Sequence, residues 1–292
     1  PAGTEAIASL AVQLEGFAAH LDEASLAYAA DRFGVTAEDA ARLGLGSAHI
    51  AGAPRLVVPF RPPEGVARGF QGRDLTGNSA IKWMGPKSPE GGSWSRLAWL
   101  PGSTDWAEVL IVEGPGDGMT AAALGYDAIA IAGAAGVNEA NADEIAKWVG
   151  ERPVTLCGDA DSAGKGFNTR LASLLVARKV AVHLLDLDEG LDLTDWRAQE
   201  GEAFARVFTR AISTAKKVAA SDVAERVWDT SKYTLTDLGA ARFLRAHIES
   251  KGSGVTHTGA TGFMTYEGGI WERDVTHRVR GTYAHEVADL LR

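Results

Sequence analysis

The chain of 292 residues contains a single cysteine, Cys157. One cysteine excludes an internal disulfide framework and any multi-cysteine zinc ribbon within the chain. It suits a reducing compartment, so a cytoplasmic protein is expected. No apolar run is long enough to span a bilayer, nothing at the start reads as a signal peptide, and no membrane partner is expected. Internal repeats and low-complexity tracts are also lacking. What is present is ordinary for a folded protein: 46% hydrophobic and 23% charged residues, which argues against disorder. The length allows one large or two modest domains, each with its own core. The chain opens at Pro1 rather than Met and is read as a fragment or a processed product.

The net charge of −9 hides a strong division. Residues 55–105 hold seven Lys+Arg against four Asp+Glu, whereas residues 106–215 hold nine against 17. A basic tract thus precedes an acidic one. Charge excess ordinarily means a solvated surface, but this order also fits a phosphate-binding tract beside a metal-binding site.

Periodicity divides the chain further. Residues 4–30 are Ala-rich with helical spacing, and Thr36 is placed to cap a helix over 37–43. Residues 55–100 read as short strands, Leu56–Arg61 and Val66–Gly72, followed by turns rich in Gly, Pro and Ser. From residue 107 apolar runs alternate with helices. The runs are Val109–Glu113, Ala128–Ala132, Val154–Gly158 and Val180–Leu185, and such alternation predicts a parallel sheet of about four strands. Lys216–Ser231 reads as a linker. A helix over Asp237–Glu249, a hairpin pairing Phe263–Tyr266 with Ile270–Arg273, and a last helix complete a small C-terminal unit.

Acidic residues fall at the ends of three of the four runs. Glu113 and Asp117 follow the first, Asp159 and Asp161 the third, and Asp192 and Asp195 lie beyond the fourth. Sites in open parallel sheets form outside the carboxyl ends of the strands, so all three clusters share one edge. Converging carboxylates raise each other's pKa. A hard divalent cation relieves this, and oxygen donors suit Mg²⁺ or Mn²⁺. For any one of these residues the ordinary reading is a helix cap or a solvated loop; three clusters in register favour a site. Two other motifs do not hold. Five residues separate Gly158 from Gly164, and Lys165 precedes a glycine, so this is no P-loop. Gly114, Gly116 and Gly118 lack dinucleotide-binding spacing and read as a tight turn open to close approach.

Glu113-Gly114 with Asp117, and Asp159-x-Asp161-x-x-Gly164, resemble the TOPRIM domain of primases, topoisomerases and some nucleases. Upstream, Phe70–Leu75, Lys82-Trp83-Met84-Gly85 and Ser88-Pro89-Glu90 resemble the basic subdomain that precedes TOPRIM in bacterial-type DNA primases. Ala27–Gly46 resembles the helical segment opening that polymerase core. Leu235–Phe243 and Trp271–Asp274 resemble the region before the ATPase domain of phage primase–helicases. The resemblance implies an α/β chain. An N-terminal α+β helical and basic subdomain would occupy 1–105 and a TOPRIM domain 106–215. A linker over 216–232 and a small α+β unit over 233–292 would then precede a helicase or ATPase domain.

The implied activity is that of a DNA primase, a nucleotidyltransferase that makes short RNA primers on single-stranded DNA from nucleoside triphosphates. Two or more Mg²⁺ or Mn²⁺ ions would assist. The resemblance carries Glu113, Asp159 and Asp161 over as catalytic residues, and Glu113, Asp117, Asp159, Asp161, Asp192 and Asp195 as metal ligands. Arg73, Lys82, Trp83, Lys87, Arg96 and Lys165 would bind nucleotide or template. The third acidic motif, often Asp-x-Asp, is here Asp192-Leu193-Thr194-Asp195, with the second carboxylate displaced by one. Trp83 and Trp94 have the chemistry to stack on bases, although tryptophan more often packs in cores. Partners would be template, nucleotides and a replicative helicase in the same or a separate chain, in the host cytoplasm if the gene is a phage's. The alternatives are another TOPRIM enzyme, such as a metal-dependent nuclease, and a non-catalytic DNA-binding or helicase-recruiting module.

Overall fold

The expected cap at Thr36 is present and reciprocal. Its hydroxyl accepts from the Asp39 N–H at 3.1 Å, and the Asp39 carboxylate accepts from the Thr36 N–H at 2.9 Å. This capping box opens α3 (Ala37–Leu43), which follows α1 (Thr4–Ala19) and α2 (Glu23–Phe33). The computed structural model describes residues 2–133, 136–219, 244–245, 254–258, 262–267 and 270–273. These fall into two compact units, 1–220 and 221–292.

In the first unit the three helices lead into an antiparallel sheet of β1 (Gly46–Ile50), β2 (Ala53–Pro59), β3 (Phe70–Asp74) and β4 (Trp83–Met84), in that order. The sequence marks β2 and β3, displaced by a few residues. It does not mark β1 or the two-residue β4.

The chain then builds a six-stranded sheet from β5 (Leu97–Leu100), β6 (Val109–Val112), β7 (Ala128–Ile131), β8 (Val154–Cys157), β9 (Val182–Leu184) and β10 (Lys216–Lys217). The order is β10-β9-β8-β6-β7-β5. Its four inner strands are parallel and are the four apolar runs of the sequence. The edges β5 and β10 are antiparallel. Every residue of β6, β7 and β8 is buried, as expected of parallel strands covered on both faces. The cover comes from α4 (Pro115–Ala123), α5 (Glu139–Val149), α6 (Ser162–Ala177), α7 (Leu193–Glu200) and α8 (Phe204–Ser213).

The expected boundary at 215/216 needs correction. Lys216 and Lys217 pair with Leu184 and His183, and the Val218 N–H bonds to the Val182 carbonyl. These residues close the open edge of β9 and do not belong to a linker. In the second unit, β11 (Gly254–Thr258), β12 (Gly262–Glu267) and β13 (Ile270–Arg273) form an antiparallel sheet that contains the predicted hairpin. Of the helix predicted over 237–249 only Leu244 and Arg245 are described, both helical. The predicted C-terminal helix and residues 220–232 lie outside the described residues.

One turn places the second acidic pair. The chain leaves β8 at Cys157, passes Asp159 and re-enters helix at Ser162. A Cβ on Gly164 would lie 2.0 Å from the Asp159 carbonyl oxygen and 2.6 Å from its nitrogen. Only a residue without a side chain lets the first turn of α6 fold back onto Asp159. Backbone on both sides cannot yield as a flexible side chain would. Gly164→Ala should therefore cost roughly 2 kcal/mol or more, read as a lower urea midpoint.

Candidate active site at the carboxyl edge of the sheet

Glu113 follows β6, Asp159 and Asp161 follow β8, and Asp192 opens α7 beyond β9. All lie at the carboxyl edge of the parallel strands. Asp161 and Asp192 are N-caps. Asp161 accepts from the Gly164 N–H at 2.8 Å, and Asp192 accepts from the Asp195 N–H at 2.6 Å. Each cap uses one carboxylate oxygen in that bond and fixes the direction of the side chain.

Asp117, on the first turn of α4, is buried. Its Oδ1 accepts from the Thr194 N–H at 3.0 Å and the Thr194 hydroxyl at 2.6 Å, tying α4 to α7. Asp195, in the first turn of α7, is engaged elsewhere, although its charge still reaches Asp192 and Asp159. Its carboxylate pairs with the Arg32 guanidinium of α2 at 2.6 Å. Neither Thr194 nor Arg32 stood out as a functional residue in the sequence. A hydroxyl inside an acidic motif and an arginine on a helix are both common, and their partners are 77 and 163 residues distant.

The carboxylates sense one another. Burial first, and then the charge of Asp161, raises Glu113. Its Oε2 is buried without a hydrogen-bond partner among the described residues. Burial pushes Asp159 up to about 7, with Glu113, Asp192, Asp161 and Asp195 adding to the rise in that order. Asp117 is pushed up to about 8 by burial and by the charge of Asp192, against the pull of its Thr194 bonds. Asp192 is raised by burial, against the Asp195 N–H. Among the described residues, no three His, Cys, Asp or Glu side chains are gathered closely enough to hold a metal ion. The acids share an electrostatic neighbourhood without forming a closed ligand sphere. Cys157 is buried beneath them, its thiol pushed up by burial, and serves as a core residue.

The basic hairpin of β3 and β4 leans on this edge. A Cβ built on Gly116, three residues beyond Glu113, would lie 3.1 Å from Phe33 and 3.5 Å from Trp83. The glycine turn therefore admits two aromatic rings. Trp83 is half-buried, tilted against Phe33 at 6.5 Å between ring centres. The Arg73 guanidinium lies 5.5 Å from the Trp83 ring, and its Nε donates to the Tyr28 hydroxyl at 2.9 Å. Lys82 is exposed, and its ammonium has no partner among the described residues.

The remaining basic candidates are scattered. Lys165 is exposed on the first turn of α6, beside the acids. A cleft of about 700 Å³ lies between the basic sheet and α5, and its lining includes Pro86 and Ser88, on either side of the exposed Lys87. Arg96 lines the cleft and donates to the Ala132 carbonyl at 3.0 Å. Trp94, also on that wall, donates to the Lys87 carbonyl at 2.7 Å and packs on the small core under β3. No described helix is long and apolar enough to cross a membrane.

A family model described as Toprim-like matches residues 110–196. No curated protein matches the chain. Among solved structures it is similar to the zinc-binding and RNA polymerase domains of the Aquifex aeolicus primase, with a TM-score of 0.58 and 19% identity. That alignment covers 81% of this chain and 65% of the Aquifex chain. It is similar to the E. coli primase catalytic core, with a TM-score of 0.55 and 21% identity, over 80% of this chain and 87% of that one. It is also similar to a DnaG primase catalytic domain bound to single-stranded DNA, with a TM-score of 0.58 and 19% identity, over 84% and 89%. At these identities the likeness is one of fold: residues 110–196 form a Toprim-like domain, within a chain that carries the fold of a bacterial primase catalytic core.

Proposed function

We propose that this chain is the catalytic core of a DNA primase, which condenses nucleoside triphosphates into short RNA primers on a single-stranded DNA template. The observation that carries the reading is the approach at Gly116, which sets Trp83 and Arg73 against the turn that follows Glu113. A polyanion held by the basic hairpin thereby reaches the acidic edge. The fold likeness to primase cores, one of them bound to single-stranded DNA, supports the same reading.

The donor set is all carboxylate, and the buried Glu113 Oε2 lacks a partner among the described residues, so these residues suit Mg²⁺ or Mn²⁺. A metal would be held by Glu113, Asp159, Asp161 and Asp192 drawn closer together than they stand in this structure, with Asp117 behind them. Asp195 is engaged by Arg32 and contributes less. Bound there, a divalent ion supplies charge neutralisation at triphosphate oxygens and lowers the pKa of an attacking 3′-hydroxyl. The chain's own part is to fix the carboxylates through its caps and to hold phosphates with Arg73 and Lys82. Lys87, Arg96 and Lys165 are lesser phosphate contacts. Trp83 and Trp94 each keep part of a ring accessible to a base. A helicase or ATPase partner rests on the resemblance of residues 235–243 and 271–274. The same resemblance supports a small unit over 233–292 that would precede such a domain.

Glu113→Gln and Asp159→Asn should each lower primer synthesis about a hundredfold or more while the circular-dichroism spectrum is retained. Incorporation of labelled nucleotide on single-stranded DNA with Mg²⁺ or Mn²⁺ measures this, and near-normal synthesis with either variant would refute the assignment.

Metal affinity should depend on pH. Asp159, raised to about 7, is largely protonated at pH 6 and must release that proton to bind an ion. Apparent Mn²⁺ affinity measured by calorimetry should therefore rise from pH 6 to pH 8, by up to about tenfold per unit for one displaced proton. Stability of the metal-free chain should run the other way. The folded pKa lies above the ordinary aspartate value of 3.8, so the proton favours the fold. Stability is then lost as pH climbs from about 4 through about 7. Asp159→Asn should flatten that decline.

Lys82→Ala should weaken ligand binding without unfolding the chain. If Lys82 meets a template phosphate, the slope of log affinity against log salt should shrink by roughly 0.7. A lowered affinity for nucleoside triphosphate with an unchanged DNA slope would assign it to the nucleotide.

A further inference from the structure

Arg55 is 1% exposed and forms no ion pair among the described residues. A guanidinium in such a place is costly unless every donor is satisfied. Here all five N–H groups have an acceptor. Nε points to the Ile50 carbonyl at 3.4 Å. Nη1 reaches the carbonyls of Gly72 at 3.0 Å and Lys82 at 3.3 Å, and Nη2 reaches Ser79 Oγ at 3.0 Å and the Ile81 carbonyl at 3.1 Å. Three of these five acceptors lie in residues 79–82, the segment that delivers Lys82 and then Trp83.

Asp74 grips the same segment by its opposite polarity. It faces Arg55 across β2 and β3. Its carboxylate accepts from the Thr76 hydroxyl at 3.1 Å and the Ser79 N–H at 3.3 Å, and its N–H donates to the Lys82 carbonyl at 2.9 Å. Residues 76–81 are mostly exposed and lie in bends and irregular backbone. Within the loop, the Ser79 hydroxyl also donates to the Ile81 carbonyl and accepts from the Ile81 N–H, and the Thr76 hydroxyl accepts from the Asn78 N–H. The guanidinium takes the carbonyls of this loop and the carboxylate takes its N–H and hydroxyl groups.

We infer that Arg55 is a positioning residue: its guanidinium fixes the backbone of Ser79–Lys82, and thereby aims the Lys82 ammonium at the bound polyanion. This rests on the proposed role of Lys82. Arg55 itself touches no ligand and acts through the loop. A lysine in its place keeps the charge but cannot reach carbonyls on both sides of the loop.

The test uses the full chain and two probes, a labelled single-stranded DNA oligonucleotide at several salt concentrations and a nucleoside triphosphate. Lys82→Ala identifies which affinity depends on Lys82. Arg55→Lys, and Ser79→Ala at the loop's surface, should lower that same affinity about fivefold, the worth of one net hydrogen bond, and leave the other unchanged. Neither should lower it further in a Lys82→Ala background, because the loop then has nothing to aim. Ser79→Ala decides the matter if Arg55→Lys fails to fold. Losses that add to that of Lys82→Ala, or an unchanged affinity in Ser79→Ala, would overturn the positioning role alone. If Lys82→Ala lowers neither affinity, the reading of Lys82 falls and the inference falls with it.

Discussion

Like charges brought to one sheet edge repel, and the first unit is arranged so that they cannot separate. Glu113 and Asp159 follow the ends of two neighbouring buried strands, β6 and β8, whose register is fixed by a ladder along their whole length. Asp161 and Asp192 are bound into helix caps, and Asp117 into Thr194. Each restraint uses one oxygen of a carboxylate and leaves the other. Burial first, and then this repulsion, raises protonation at Asp159 and Asp117. The fold thus stores a demand for positive charge at this edge, which protons meet at low pH and a hard cation can meet at higher pH.

The second source of positive charge is the basic hairpin, and a glycine sets its distance. With Gly116 bare, Phe33 and Trp83 pack onto the start of α4, and Arg73 sits over Trp83. Trp83 therefore packs on the core on one side while standing beside Arg73 on the other. Core packing and base stacking, which compete as readings of an isolated tryptophan, are compatible for a half-buried ring at a seam.

The parallel sheet was legible because each inner strand is a continuous apolar run, and burial on both faces demands such runs. The edge strands were not. Lys216-Lys217 has no apolar signal, and β5 is four residues long after a tract of glycine, proline and serine. The acidic edge was legible because strand ends align in a parallel sheet, so sequence positions translate into one location. Partners across the fold were not legible: Thr194 for Asp117, Tyr28 for Arg73 and the carbonyls around Arg55 depend on tertiary contacts that local patterns do not encode. The structure shows Asp161 and Asp192 as caps, which is compatible with the proposed site because a cap immobilises one oxygen and leaves the other.

The displaced third motif acquires a physical meaning from the same geometry. Asp192 caps α7, and Asp195 stands three residues into it. Moving a side chain by one position along a helix turns it by about 100°. At 195 the carboxylate pairs with Arg32 from α2, while its charge is still felt by Asp192 and Asp159. The ion pair links the N-terminal helices to the helix that carries both Asp192 and the Thr194 partner of Asp117. The motif thus contributes one carboxylate to the acidic edge and one strut that holds the helix in place. The cation that a second edge carboxylate would require is supplied to Asp195 by the protein itself.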